Sequence, residues 1–319
     1  MRNPKKSRER DADDSSSINR LPDEIILQIL NKIIDLRSLC FCYLVSKRFS
    51  SIVLEVDAVS FTAPFKDPNI PNKNPVGDIS QSRPCHPKLY AHGFLRKFTG
   101  VKSLYIELPF SDHRVVQNRC LFKWRVKFGS RVESFVFLSP NYVCDNDGIY
   151  QIGKVDEENE LISIAQHINK KRDISYQCLN DVIAWHKMLM NIVKDLPMLE
   201  EVSITDSGRK GRLSLSGEKL NEVKEWVHSA SEAEINSRKG SFIGTETCIP
   251  VLKLPVSGYV MKGIFCALFE REDIQGRTDF LKNSEDGFED KEEAAYTEAV
   301  KDVLEKEIMQ TEMLNALGL

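Results

Sequence analysis

Few residues in this chain have the types and spacing that chemistry requires. The segment GRLSLSGEK (211–219) has the composition of a phosphate-binding loop, but its glycines are misspaced and Glu218 stands where such a loop carries its lysine. It reads as a tight polar loop. Cys85, His86 and His92 offer metal-ligating atoms, yet no CxxC pair accompanies them and the stretch is proline-rich, so the grouping reads as chance. Trp185-His186 sets an aromatic wall beside an imidazole, which can orient a ligand; on a helix it reads instead as a half-buried amphipathic pair. Cys40 and Cys42 lie in an apolar run and read as buried thiols acting as small hydrophobes. No Gly-x-Ser-x-Gly elbow occurs. The expectation is a chain that is not an enzyme, with no catalytic residue, no cofactor and no metal.

The best basic patch is KWRVKFGSR (123–131), where Lys123, Arg125, Lys127 and Arg131 interleave with Trp124 and Phe128. Alternation puts these charges on one strand face, able to grip phosphate or an acidic segment. A solvated face of an otherwise buried strand needs no partner, and that is the preferred reading. The formal net charge of −3 points to no obligate polyanion, so no nucleic-acid partner is expected.

Any such residues must be positioned by elements, and the chain divides by texture. Residues 1–17 are polar, charged and without hydrophobic period, and read as a disordered tail. KKSRER (5–10) within it resembles a weak nuclear import signal but reads first as a solvated run facing the acids after it. Residues 18–60 are a compact apolar unit. Residues 61–93 form a proline-rich linker or loop, holding six of the 13 prolines (Pro64, Pro68, Pro71, Pro75, Pro84 and Pro87). Residues 94–270 alternate strand and helix signals, and 271–319 hold an acidic loop and a terminal amphipathic helix bearing Tyr296, Val300, Leu304, Ile308 and Leu314. That helix is expected to pack on the domain rather than to form a coiled coil.

Within 94–270 three segments share an apolar-x-x-apolar-x-apolar pattern: Val101, Leu104, Ile106; Val132, Phe135, Phe137; and Leu199, Val202, Ile204. Spaced by about 30 residues and then about twice that, they suggest a degenerate leucine-rich-repeat-like solenoid with one strand per unit; an ordinary α/β layer fits equally. Between them, residues 175–195 carry a helical stripe (Cys178, Val182, Leu189, Ile192, Val193) stopped by Pro197. Ser216 can cap a second helix with Leu220, Val223, Val227 and Ala230 on one face. VLKLPV (251–256) and GYVMKGIFCALF (258–269) are strand candidates. The latter is too short, with Lys262 in its middle, to span a bilayer, and no membrane association is expected.

Residues 18–54 hold the densest signal. Pro22 suits a first helical turn, and Asp23 and Glu24 favour the positive end of the helix dipole. Asp35 and Ser46 are natural caps for two further short helices. Three helices in so few residues rarely bury enough surface to stand alone. Helix one is nevertheless apolar nearly all round, with Ile25, Ile26, Leu27, Ile29, Leu30, Ile33 and Ile34. The excess predicts an interface.

Asn19-Arg-Leu-Pro-Asp-Glu24, the following Ile-x-x-Ile-Leu, Leu39, and Val45-Ser-Lys-Arg-Phe49 resemble an F-box. Ser38-Leu-Cys40 and LVSKRFSSIV (44–53) look most like plant F-box proteins. LEEVSITD (199–206) and LPVSGYVMKG (254–263) are similar to the C-terminal region of a plant group that includes auxin-up-regulated F-box proteins. The resemblance implies an α+β or α/β chain: a three-helix F-box, then a larger leucine-rich-repeat-like domain. It implies a substrate-recognition subunit of an SCF-type E3 ubiquitin ligase, docked on a Skp-type adaptor and through it on a cullin, presenting an unidentified protein target. By the same resemblance Leu21 and Pro22 enter the adaptor's groove, Ile25, Ile29 and Leu30 share core and interface duty, and Leu36, Leu39, Val45 and Phe49 complete the contact. Phe49 replaces the tryptophan of many F-boxes, which keeps the aromatic anchor and loses its N–H. The alternative is an adaptor-bound regulator or scaffold that directs no degradation. The eight scattered cysteines and the lack of any Asn-x-Ser/Thr site point to a reducing compartment, cytoplasm or nucleus.

Overall fold

A computed structural model describes residues 20–62, 92–108, 121–145, 151–153, 160–206, 208, 210–235, 241–273 and 291–316. The expected N-terminal tail with KKSRER, most of the proline-rich segment and most of the acidic loop lie outside these residues. Three short helices open the described chain: α1 (Asp23–Leu30), α2 (Leu36–Val45) and α3 (Lys47–Val53). Local chemistry sets their limits. Pro22 is the N-cap of α1. The Asp35 carboxylate accepts from the Ser38 N–H at 2.9 Å to start α2, and the Ser46 hydroxyl accepts from the Phe49 N–H at 3.2 Å to start α3.

The chain then enters strand β1 (Ala58–Thr62) directly, and β1 is the edge of a four-stranded sheet. It runs parallel to β2 (Ser103–Leu108), which runs parallel to β7 (Glu201–Asp206); β8 (Arg212–Ser216) closes the sheet antiparallel. Here the apolar-x-x-apolar-x-apolar pattern recurs along the ladder, but not in the same set of segments that the sequence reading took. The pattern Val56, Val59, Phe61 belongs to the ladder, with Val59 opposite Leu104 and Leu104 opposite Val202. The segment Val132, Phe135, Phe137 does not. It lies in β4 (Val132–Ser139) of a second, six-stranded sheet, between β3 (Lys123–Phe128) and β10 (Tyr259–Arg271), antiparallel to both. An apolar period of this kind marks a strand buried on both faces as readily as a solenoid unit.

The second sheet is completed by β5 (Tyr142–Asp145), β6 (Gln151–Gly153) and the outer strand β9 (Phe242–Leu254), which pairs along β10. The fold is α+β, as expected. A long helix, α5 (Glu160–Asp195), joins the sheets. Its Ile174, Cys178, Val182 and Trp185 share one core with Phe135, Phe137, Phe265 and Phe269 of the second sheet and with Leu104, Val202 and Ile204 of the first. Helix α6 (Gly217–Ser229) packs Leu220, Val223 and Val227 into the same core. The other face of the second sheet (Val136, Leu138, Cys266, Leu268) is covered by the terminal helix α8 (Lys291–Ala316) through Ala295, Tyr296, Ala299, Val300, Val303 and Leu304. That helix packs on the domain, as its stripe predicts. Two short helices, α4 (His92–Leu95) and α7 (Glu232–Ile235), fill corners.

Candidate functional site

The three-helix unit has two unlike faces. Ile26, Leu30, Leu36, Leu39, Ile52 and Val53 are buried, and they merge with Val56, Val59, Leu95 and Phe98 into the core of the following domain. Polar ties reinforce the joint. Asn31 and Asp57 exchange hydrogen bonds, side chain to side chain and backbone N–H to side chain, both at 3.0 Å. The Ser60 N–H donates to the Ile34 carbonyl at 2.6 Å. Tyr43 meets Phe94, and Phe94 meets Phe98, edge to face at 5.2 Å. Gly100 lies where a Cβ would come within 2.6 Å of the Glu55 carbonyl oxygen, so the two segments touch through bare backbone. The unit too small to stand alone is therefore completed first by its own chain.

The opposite face stays apolar and open. Ile25, Ile29, Ile34, Phe41, Leu44 and Val45 are exposed, Phe41 to 61%, Leu44 to 76% and Val45 to 67%. Pro22 is exposed beside them, and Leu21 and Phe49 are half-buried. Arg48 pins the entry turn: it pairs with the Asp23 carboxylate at 2.6 Å and donates to the Leu21 carbonyl. Arg37 lies over the Phe41 ring at 5.9 Å. Asp35 is held below the ordinary carboxylate range, chiefly by the Ser38 hydroxyl, so its cap stays charged.

Of the nine residues singled out in the sequence, four are exposed, Pro22, Ile25, Ile29 and Val45, while Leu21 and Phe49 are half-buried against the core. Leu30, Leu36 and Leu39 are buried, and their work here is to fasten the unit to the first sheet. Phe41 and Leu44 were missed, because α2 (LRSLCFCYLV) is apolar on every side and its period does not say which leucine points inward. Cys40 and Cys42 are half-buried rather than fully so, and desolvation raises the Cys40 thiol, which disfavours the reactive thiolate.

The other candidate chemistries resolve into packing. Gly211 sits flat on Trp124, where a Cβ would come within 2.3 Å of the indole, and the rest of that segment is β8 and the start of α6. His186 is buried; its Nε2–H donates to the Gly129 carbonyl at 2.9 Å, and burial pushes its pKa down to about 4. Trp185 packs on Trp124 at 5.8 Å. The basic patch is spent internally: Lys127 pairs with Glu133 at 3.4 Å, Arg131 with Asp273 at 3.0 Å, and Arg125 donates to the Thr297 hydroxyl. Cys85 and His86 lie outside the described residues, and among the described ones no group of three ligating side chains could hold a metal. Nor, among them, is any helix long and apolar enough to cross a membrane.

Comparison with known proteins decides what the open face belongs to. Residues 18–57 match the F-box-like family. These residues are an F-box-like domain. Beyond the F-box the similarity runs through most of the chain. F-box protein At1g30200 of Arabidopsis thaliana is 25% identical, the match covering 76% of this chain and 80% of that protein. F-box protein AUF2 of the same plant is 23% identical, covering 73% and 76%, and F-box protein AUF1 is 21% identical, covering 75% and 78%. No solved structure matches the chain.

Proposed function

We propose that this chain is the substrate-recognition subunit of an SCF-type E3 ubiquitin ligase. Its F-box docks on a Skp-type adaptor and, through it, on a cullin, while the following domain holds an unidentified protein target for ubiquitination. The observation that carries this reading is the divided F-box: one face is fused to the chain's own core, and the other leaves Ile25, Ile29, Phe41, Leu44 and Val45 in solvent. An apolar patch of that density on a described surface is an interface awaiting its partner. The receptor works by proximity, raising the effective concentration of target lysines near the ubiquitin-charged enzyme and supplying no catalytic group. Its compartment is cytoplasm or nucleus, a reading supported by Cys40, Cys42, Cys144 and Cys248, none of which is in a disulfide.

Pull-down of the full chain by a purified Skp-type adaptor tests this. Wild type is retained, and Ile29→Asp or Leu44→Asp weakens retention by about thirtyfold or more, as expected for a hot spot worth about 2 kcal/mol. Absence of wild-type binding, or retention indifferent to both substitutions, overturns the reading.

A further inference from the structure

We infer that the open face of the first sheet is where the target is held, and that it takes a segment carrying arginine or lysine, seated over Tyr105 between Glu107 and Glu201. The inference rests on the receptor reading above and names the chemistry of the target. Register puts alternate residues of four strands on this face in three rows: Ala58, Ser103, Glu201, Ser216; then Ser60, Tyr105, Ser203, Ser214; then Thr62, Glu107, Thr205, Arg212. The intervening residues, such as Leu104, Ile106, Val202 and Leu213, are buried on the opposite face. Among the described residues the sheet is thus covered by helices on one side only.

Relief and charge on the open side are specific. Its floor is small hydroxyl residues, and from the middle of that floor stands one large side chain, Tyr105, 37% exposed. Its hydroxyl donates to the Glu201 carboxylate at 2.9 Å, which fixes the ring before any partner arrives. Glu107 is two residues further along the same strand and face, and its carboxylate accepts from the Thr62 hydroxyl at 3.5 Å. Among the described residues neither carboxylate is in an ion pair. Arg212, the one cation in the rows, is on the far strand β8, with β7 between it and Glu107.

An exposed aromatic ring flanked by two unneutralised carboxylates is complementary to a cation. A guanidinium or ammonium over the ring gains a cation–π contact, and either carboxylate can accept its N–H groups. The floor of small side chains lets an extended backbone come close on both sides of the ring. An acidic or phosphorylated segment meets two like charges, and a purely apolar one would have to strip water from both carboxylates unpaired. The face is also continuous with the docking unit. Ser60, in its central row, donates its N–H to Ile34 of the F-box, so a target held here sits at a fixed position relative to the adaptor.

The test uses the full chain and two fluorescent peptides of equal length, a Gly-Ser repeat with spaced arginines and the same repeat with glutamates. Anisotropy at low salt is expected to show the arginine peptide bound at least tenfold more tightly. Glu107→Lys/Glu201→Lys should reverse that preference, and Tyr105→Ala should cost about fivefold. Equal binding of both peptides, preference for the glutamate peptide, or an arginine preference untouched by the three substitutions overturns the inference. So does a dimer by light scattering that Tyr105→Ala dissolves, since a second copy would then occupy the face. Adaptor retention, measured on the same samples, separates the two readings. Variants that keep the adaptor and lose the peptide support the face, whereas loss of the adaptor by wild type with the peptide preference intact sinks only the ligase reading.

Discussion

The two sheets are finished differently. The second has α5 against one face and α8 against the other, so its central strands read as nearly unbroken apolar runs, with Phe135, Val136, Phe137 and Leu138 all buried. Among the described residues the first has helices against one face only, and β2 alternates strictly over Ser103–Leu108. A sheet covered on both sides by its own chain is scaffold; a sheet left open on one side has a surface to offer. The same division recurs in α2, where Leu39 is fully buried and Leu44 is 76% exposed. Among the described residues, open faces lie on the first sheet and on the F-box mounted at its edge.

The largest effect should come from emptying the doubly covered sheet. Phe137 is fully buried, stacked on Phe122 at 5.1 Å and set against Phe265 at 6.3 Å. Phe137→Ala is expected to cost about 3–5 kcal/mol by urea denaturation, transfer loss and cavity together. A cost near 1 kcal/mol would mean that α5 collapses onto the gap and that this layer is not the rigid one.

Next in size is a pH effect at the end of that same layer. His186 is pushed down to about 4 by desolvation, with Lys219 nearby opposing its charge. The unfolded chain keeps an imidazole near 6.5, so between these values it binds a proton that the folded chain refuses. The contribution is therefore complete above about pH 6.5 and is lost as pH falls toward 4, reaching about 3 kcal/mol. His186→Gln preserves a donor for the Gly129 carbonyl without the titration. Denaturation at pH 7 and pH 4.5 should show a smaller acid loss in the variant; equal losses would show that His186 protonates without unfolding.

How much of this was legible depended on whether the signal was local. The caps Asp35 and Ser46 and the acids after Pro22 announce the F-box helices, because each works within one turn of chain. Helix α5 was read from residue 175 but begins at Glu160. One reason is Lys171, which occupies an inward position where the period calls for an apolar residue and donates its ammonium to the Ser139 and Gly263 carbonyls at 2.7 and 3.0 Å. Strand β9 was read only from residue 251 because its first half, an outer strand, is interrupted by Gly244-Thr-Glu-Thr247 and carries no sustained apolar alternation. The third member of the parallel ladder, Val56 to Phe61, was hidden by its place directly after the F-box, where the same residues serve two units. On the candidate surface, motif position identified Ile25, Ile29 and Val45, but only packing separates Leu39 from Leu44.

The smallest expected effect gives the sharpest version of the comparison, since one substitution can be made in both sheets. Ser139 ends β4 in the covered sheet, is fully buried, and donates its hydroxyl to the Leu121 carbonyl at 2.7 Å. Ser139→Val leaves that carbonyl without its donor and should cost about 1–3 kcal/mol. Ser214 occupies the open face of the first sheet, half-buried opposite Ser203, with no helix above it among the described residues. Ser214→Val there should change stability by less than about 0.5 kcal/mol, because a β-branched side chain suits a strand and nothing above it must move. A cost at Ser214 equal to that at Ser139 would mean that this face is already covered within the chain, and the surface assigned to the target would no longer exist.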